Sequence, residues 1–154
     1  MNKPKILIID DERRFASNLK KLLEVDYDVI TAANGKRGFQ LFEKKSPTII
    51  LLDLDMPVMG GLETLDKIRS IDKDVPIIIM TDRRSCRLAR YCADFGVDGY
   101  IDKPFEISTL SRKMNRLLGL GDCQVLIDLW GDDYECRINE AGPLVRQVLE
   151  IIWQ

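Results

Sequence analysis

Short apolar runs and stretches of helical periodicity alternate along the first two-thirds of the chain. Lys5 to Ile9, Asp28 to Ala32, Thr48 to Leu52, Pro76 to Met80 and Gly99 to Ile101 read as five strands. Their Ile- and Leu-rich runs suit strands covered on both faces. Between them Phe15/Leu19/Leu22/Leu23, Phe39/Phe42, Leu62/Leu65/Ile68 and Leu88/Cys92/Phe95 recur at three- and four-residue spacing. A last set, Ile107/Leu110/Met114/Leu117/Leu118, follows the fifth strand. That spacing gathers apolar side chains on one helix face. Five consecutive βα units predict an α/β fold, a doubly wound five-stranded parallel sheet in the order 2-1-3-4-5 with helices on both faces.

Gly119-Leu120-Gly121-Asp122 punctuates the end of the fifth helix and divides the chain into residues 1–118 and an extension, 119–154. In the extension, Cys123 to Leu129 and Tyr134 to Ile138 flank Trp130-Gly131-Asp132-Asp133 as a hairpin. Pro143 then opens a helix with Leu144, Val145, Val148, Leu149 and Ile152 along one stripe. So short a segment cannot bury a core of its own. It packs on the main domain, forms a homodimer, or is the truncated start of an output domain.

Composition narrows the function. With 45 % hydrophobic and 31 % charged residues, the chain is globular, and its apolar runs fall far below membrane-spanning length. The amino terminus Met-Asn-Lys-Pro-Lys carries no secretion signal core, so a cytoplasmic location is expected. Cys86, Cys92, Cys123 and Cys136 show no CxxC spacing and read as reduced, mostly buried thiols. The absence of histidine removes the commonest general base and metal ligand, leaving carboxylates, lysine, hydroxyls and thiols. Charge divides as +3 over residues 1–118 and −5 over 119–154. So acidic an extension is a poor reader of a phosphate backbone, and no nucleic-acid contact by this chain is expected.

Ligands of an open parallel sheet bind outside the carboxyl ends of its strands. Asp10-Asp11 closes the first strand, Asp53 the third and Thr81 the fourth, while Lys103 follows the fifth by two residues. Three carboxylates converging on one edge repel unless a hard cation sits among them, and an all-oxygen donor set favours Mg2+. Each group alone has a plainer explanation. Asp11 with Glu12 would cap the first helix, Thr81 or Asp82 the fourth, and Pro104 would start the fifth. Asp53 to Pro57 would be a polar turn, Lys103 a solvated lysine and Tyr100 a core-edge aromatic. Those explanations do not account for all of them meeting at one end of one sheet.

Residues 1–118 resemble a response-regulator receiver domain of bacterial two-component signalling, the CheY-like family. The resemblance rests on Ile-Leu-Ile-Ile-Asp10-Asp11-Glu12, the run Leu51-Leu52-Asp53-Leu54-Asp55-Met56-Pro57-Val58-Met59-Gly60-Gly61, Met80-Thr81, and Tyr100-Ile101-Asp102-Lys103-Pro104-Phe105. It implies that Asp53 is the phosphoacceptor and that Asp10 and Asp11 are the acidic pair holding Mg2+, with Asp11 the direct ligand. It further implies that Asp55 completes the metal shell through its backbone carbonyl and that Lys103 pairs with a phosphoryl oxygen. By the same likeness Pro104 is similar to a proline often held in a cis peptide, and Thr81 and Tyr100 resemble the switch pair. The implied phosphodonor is a sensor histidine kinase, and the domain is a signalling module rather than an enzyme in the usual sense, catalysing only its own phosphorylation and dephosphorylation.

One departure stands out. Receivers usually place a small residue after the switch threonine, whereas Asp82 and then Arg83-Arg84 follow here. Asp82 sets negative charge beside an incoming dianion, or turns away to cap the next helix. Two rival readings follow. A pseudo-receiver would keep the fold as an interaction module without cycling phosphate. A haloacid-dehalogenase-like phosphatase would use Asp53-Leu54-Asp55 as nucleophile and acid, although that family carries the motif on its first strand.

Overall fold

The computed structural model describes residues 2–82 and 93–119. Its elements run β1 (Lys5–Ile9), α1 (Arg13–Leu23), β2 (Asp28–Ala32), α2 (Gly35–Lys45), β3 (Ile49–Asp53), α3 (Gly61–Ile71), β4 (Ile77–Thr81), β5 (Gly99–Asp102) and α4 (Ile107–Leu117). The five parallel strands form one sheet in the order β2-β1-β3-β4-β5, as the alternating pattern predicts. Of the fourth predicted helical stretch, Leu88 and Cys92 lie outside the described residues, as do Arg83, Arg84, all four cysteines and the extension beyond Gly119. Among the described residues no helix is long and apolar enough to cross a membrane.

Why these segments become strands follows from burial. Ile6 to Ile9 of β1, Ile49 to Leu52 of β3 and Ile77 to Met80 of β4 are all 0 % exposed, so both faces of each strand are covered. β2, at the edge of the sheet, is less completely covered: Val29 and Ala32 are buried and Ile30 half-buried, while Asp28 and Thr31 are exposed.

The strand limits differ by one residue from the sequence reading. Pro76 has no N–H to give to a ladder, so β4 begins at Ile77, although the Pro76 carbonyl still accepts from the Ile50 N–H at 2.9 Å. β3 correspondingly starts at Ile49 and takes in Asp53, and β5 runs on to Asp102.

The helices bury narrower stripes than the apolar residues suggest. In α1, Ala16, Leu19 and Leu23 face inward while Leu22 is left exposed. In α3, Leu65 and Ile68 are completely buried, and in α4 Leu110 and Met114 are. Two lysines finish helices from a distance. Lys3 Nζ donates to the carbonyls of Glu24 and Val25 just beyond α1, and Lys5 Nζ to the Lys45 carbonyl that ends α2. Both supply donors to carbonyls that a helix end leaves unpaired.

The turn from α3 into β4 is held by Asp72. Its Oδ1 accepts from the N–H groups of Asp74 and Val75 at 2.8 and 2.9 Å, while Arg69 donates to the Asp72 and Val75 carbonyls. These backbone donors, more than nearby Arg69, hold the Asp72 carboxyl below its ordinary value of 3.8. A group depressed in the folded state stabilises the fold above its unfolded value and loses that contribution as pH falls through the folded value. Asp72→Ala is therefore expected to cost about 1 kcal/mol at neutral pH. In urea denaturation the gap to the parent should close as the pH is taken below 3.8.

Candidate functional site

The chain divides into two compact units at Met80/Thr81, and the residues singled out by the sequence fall in both. In the first unit, the strand register brings carboxylates together. Ile9 of β1 pairs with Leu52 of β3, so the next residues along these parallel neighbours are Asp10 and Asp53. Asp10 and Asp53 are buried, Asp11 is exposed, and one carboxylate oxygen from each lies within 4.8 Å of the others.

The Asp10 carboxylate is further fixed by the Glu12 backbone N–H, which donates to its Oδ1 at 2.8 Å. Glu12 is the N-cap residue of α1 but makes no side-chain cap. The capping explanation for Asp11 and Glu12 is thus not what the structure shows.

Three acidic groups this close, two of them withdrawn from water, repel strongly. A hard divalent cation removes the conflict. Oxygens bound to Mg2+ at about 2.1 Å lie no more than about 4.2 Å apart, so the observed spacing needs only a small adjustment to grip the ion. The donor set is all oxygen, as Mg2+ prefers. Asp10, Asp11 and Asp53 therefore fit the ion.

Asp55 is exposed and its carboxylate is not part of the cluster. It sits in the loop after β3, which Gly61 closes by donating its N–H to the Leu54 carbonyl at 3.0 Å. The tip is a γ-turn in which the Met59 N–H donates to the Pro57 carbonyl around Val58. Val58 has φ of 71° and is 85 % exposed. For a β-branched residue this left-handed conformation is strained.

In the second unit, Thr81 ends β4 fully buried, and its carbonyl accepts from the Lys103 N–H at 2.9 Å. Asp82, directly after it, is exposed. Tyr100 is buried in β5, and Lys103 is half-buried. The Lys103–Pro104 peptide is cis, and α4 begins three residues later at Ile107, so Pro104 does not start that helix.

A family model for the response regulator receiver domain matches residues 6–115. The chain belongs to this family. Response regulator MprA of Mycolicibacterium vanbaalenii is 34 % identical over 115 residues, which is 74 % of this chain and 50 % of MprA. The uncharacterized transcriptional regulatory protein YkoG of Bacillus subtilis is 34 % identical over 151 residues, 96 % of this chain and 65 % of YkoG. The chain thus spans about half to two-thirds of the length of these relatives. Among solved structures, the chemotaxis protein CheY4 of Vibrio cholerae matches with a TM-score of 0.70 at 30 % identity, covering 75 % of this chain and 98 % of that one.

A receiver is a signalling domain, not an enzyme in the usual sense. Receiver domains bind Mg2+ at an acidic cluster and accept phosphate from histidine kinases. Sequence reasoning passed over Gly35 and Thr64. Their signal is weak, because a buried threonine and a helix-start glycine have no motif of their own. Gly61 lies within the Leu51–Gly61 motif, but nothing in the sequence distinguishes it from neighbouring Gly60.

Removing one charge tests the cluster. Asp11→Asn should raise the melting midpoint of the metal-free protein, through repulsion relieved by up to about 1 kcal/mol at this exposed position. It should also abolish most of the rise that Mg2+ gives the parent. A variant that responds to Mg2+ as the parent does removes the cluster as the ion's site.

Proposed function

We propose that this receiver accepts a phosphoryl group on Asp53 from a sensor histidine kinase in a Mg2+-dependent reaction, and thereby switches a protein-interaction surface. The observation that carries this reading is the convergence of Asp10, Asp11 and Asp53 on adjacent strand ends. In it, Asp10 and Asp11 hold the ion together with Asp53 and the Asp55 backbone carbonyl. Bound there, Mg2+ would neutralise charge on the phosphoryl oxygens.

The chemistry of the chain's own groups is a displacement. An Asp53 carboxylate oxygen forms a bond to phosphorus as the bond from phosphorus to the donor's imidazole nitrogen breaks, and the released imidazole takes a proton from solvent. Burial of Asp53 keeps water away from the nucleophile and fixes its approach. The Lys103 ammonium pairs with a phosphoryl oxygen. The acyl phosphate brings nearly two negative charges and strong acceptors. The Thr81 hydroxyl is drawn to them, and Tyr100 repacks in response, biasing a two-state equilibrium.

Residues 1–118 act as this receiver, and 119–154 form a separate extension that packs, dimerises or leads into an output segment. The signalling takes place in the cytoplasm. The competing pseudo-receiver reading draws on exposed Asp82, whose charge follows Thr81 directly. The phosphatase reading fares worse, because Asp53-Leu54-Asp55 closes the third strand and the Asp55 carboxylate stands outside the cluster.

Intact mass after brief incubation with Mg2+ and acetyl phosphate separates these readings. A gain of one phosphoryl group is expected, lost without metal and lost in Asp53→Ala. No gain, together with no uptake of a beryllofluoride mimic, would leave the pseudo-receiver as the function. Turnover of a phosphate ester would point to the phosphatase.

A further inference from the structure

The loop that carries the Asp55 carbonyl is closed on two sides by contacts that admit no Cβ. Gly61 opens α3 directly against the end of β3. A methyl group there would collide with the Asp53 carbonyl oxygen and lie 2.5 Å from Leu54 Cα and 3.0 Å from the Asp53 carbonyl carbon. All three are backbone atoms, so no side-chain rotation relieves the clash. Gly61 is helical and does not have a positive φ, so proximity rather than conformation demands glycine here.

Gly35 opens α2 on the other side of the loop. A methyl group on it would collide with Thr64 Oγ1 and lie 2.6 Å from the Met59 carbonyl oxygen. Thr64 is wholly buried in α3, and its Oγ1 donates to the Gly60 carbonyl at 2.9 Å. The loop from Leu54 to Gly61 is thus tied at its ends by the Gly61 N–H and held along its flank by Met59 against Gly35.

Gly60 is the informative contrast. It neighbours Gly61 and is the N-cap residue of the same helix, yet a methyl group on it would meet only the Leu54 carbonyl oxygen, at an ordinary 3.9 Å. Of two adjacent glycines, one is required by contact and one is not.

We propose that Gly61, supported by Gly35 and Thr64, is a positioning residue for the metal centre, fixing the Asp53–Asp55 backbone so that the Asp53 carboxylate and the Asp55 carbonyl face the same ion. The proposal rests on the Mg2+-dependent phosphoacceptor reading. The peptide that Gly61 abuts joins Asp53 to Leu54, so a displacement there moves both donors at once. Metal sites respond steeply to such supporting contacts.

The test uses the full 154-residue chain and compares Gly61→Ala with Gly60→Ala. Mg2+ affinity is measured by calorimetry, and backbone amide NMR of the metal-free protein reports Asp53 to Asp55. Gly61→Ala should weaken Mg2+ binding roughly ten-fold or more and shift those amides, whereas Gly60→Ala should stay near the parent in both. The Mg2+ concentration giving half-maximal phosphorylation by acetyl phosphate should rise by the same factor, with the rate returning toward the parent value when the ion is saturating. A purely structural role would lower stability without this displacement of the metal dependence.

Equal behaviour of the two alanine variants would overturn the proposal. If Gly61→Ala does not fold, Thr64→Val keeps the shape and deletes the Oγ1 hydrogen bond. It should weaken Mg2+ binding by about three-fold, and an unchanged affinity would also overturn the proposal. A parent that binds no Mg2+ would sink the phosphoacceptor reading instead. The amide shifts of metal-free Gly61→Ala against Gly60→Ala would then still decide whether Gly61 positions this backbone.

Discussion

The parallel register between β1 and β3 governs the acidic cluster. Ile9 stands beside Leu52, and because neighbouring strands lie about 4.8 Å apart, the residues one step further on are held within reach of each other. That register is enforced by the core. Ile6 to Ile9 and Ile49 to Leu52 are entirely buried on both faces, so slipping by one residue would repack every one of them. The acidic cluster inherits its backbone geometry from this apolar packing.

This sets up an electrostatic debt at the carboxyl edge of the sheet. Asp10 and Asp53 are withdrawn from water beside one another, with exposed Asp11 adding a third negative charge. The Glu12 N–H gives Asp10 one fixed partner. A group that brings positive charge to this edge lowers the mutual repulsion of the carboxylates, and a group that brings more negative charge raises it. On the proposed function, an acyl phosphate on Asp53 would add charge to this already acidic edge, and a trigger of that strength suits a two-state switch.

Much of this was legible in the chain. The five βα units follow from short apolar runs such as Ile-Ile-Leu-Leu alternating with helical periodicity, and the order 2-1-3-4-5 from the crossover rules for such units. That Asp10, Asp11 and Asp53 meet at one edge could be read from their places at the carboxyl ends of the first and third strands. Other features were hidden. Leu22 fits the helical spacing yet is exposed, because spacing alone does not say how wide a stripe the sheet will cover. Pro104 looks like a helix start, but the cis Lys103–Pro104 peptide and Glu106 as N-cap put that start at Ile107. The reach of Gly35 to Met59 and of Gly61 to Asp53 depends on how two helices approach one loop, which no local pattern encodes.

The loop after β3 gets its shape from absent side chains rather than present ones. Asp55, Pro57 and Val58 are all exposed, while the backbone around them is set by glycine contacts and by the Gly61 N–H. Shape and surface are thereby separable. The outward residues of this loop are open to change by mutation, and with them whatever passing molecule they favour, while the glycine contacts beneath keep the course of the backbone. A receiver built this way can acquire new acquaintances without relearning its chemistry.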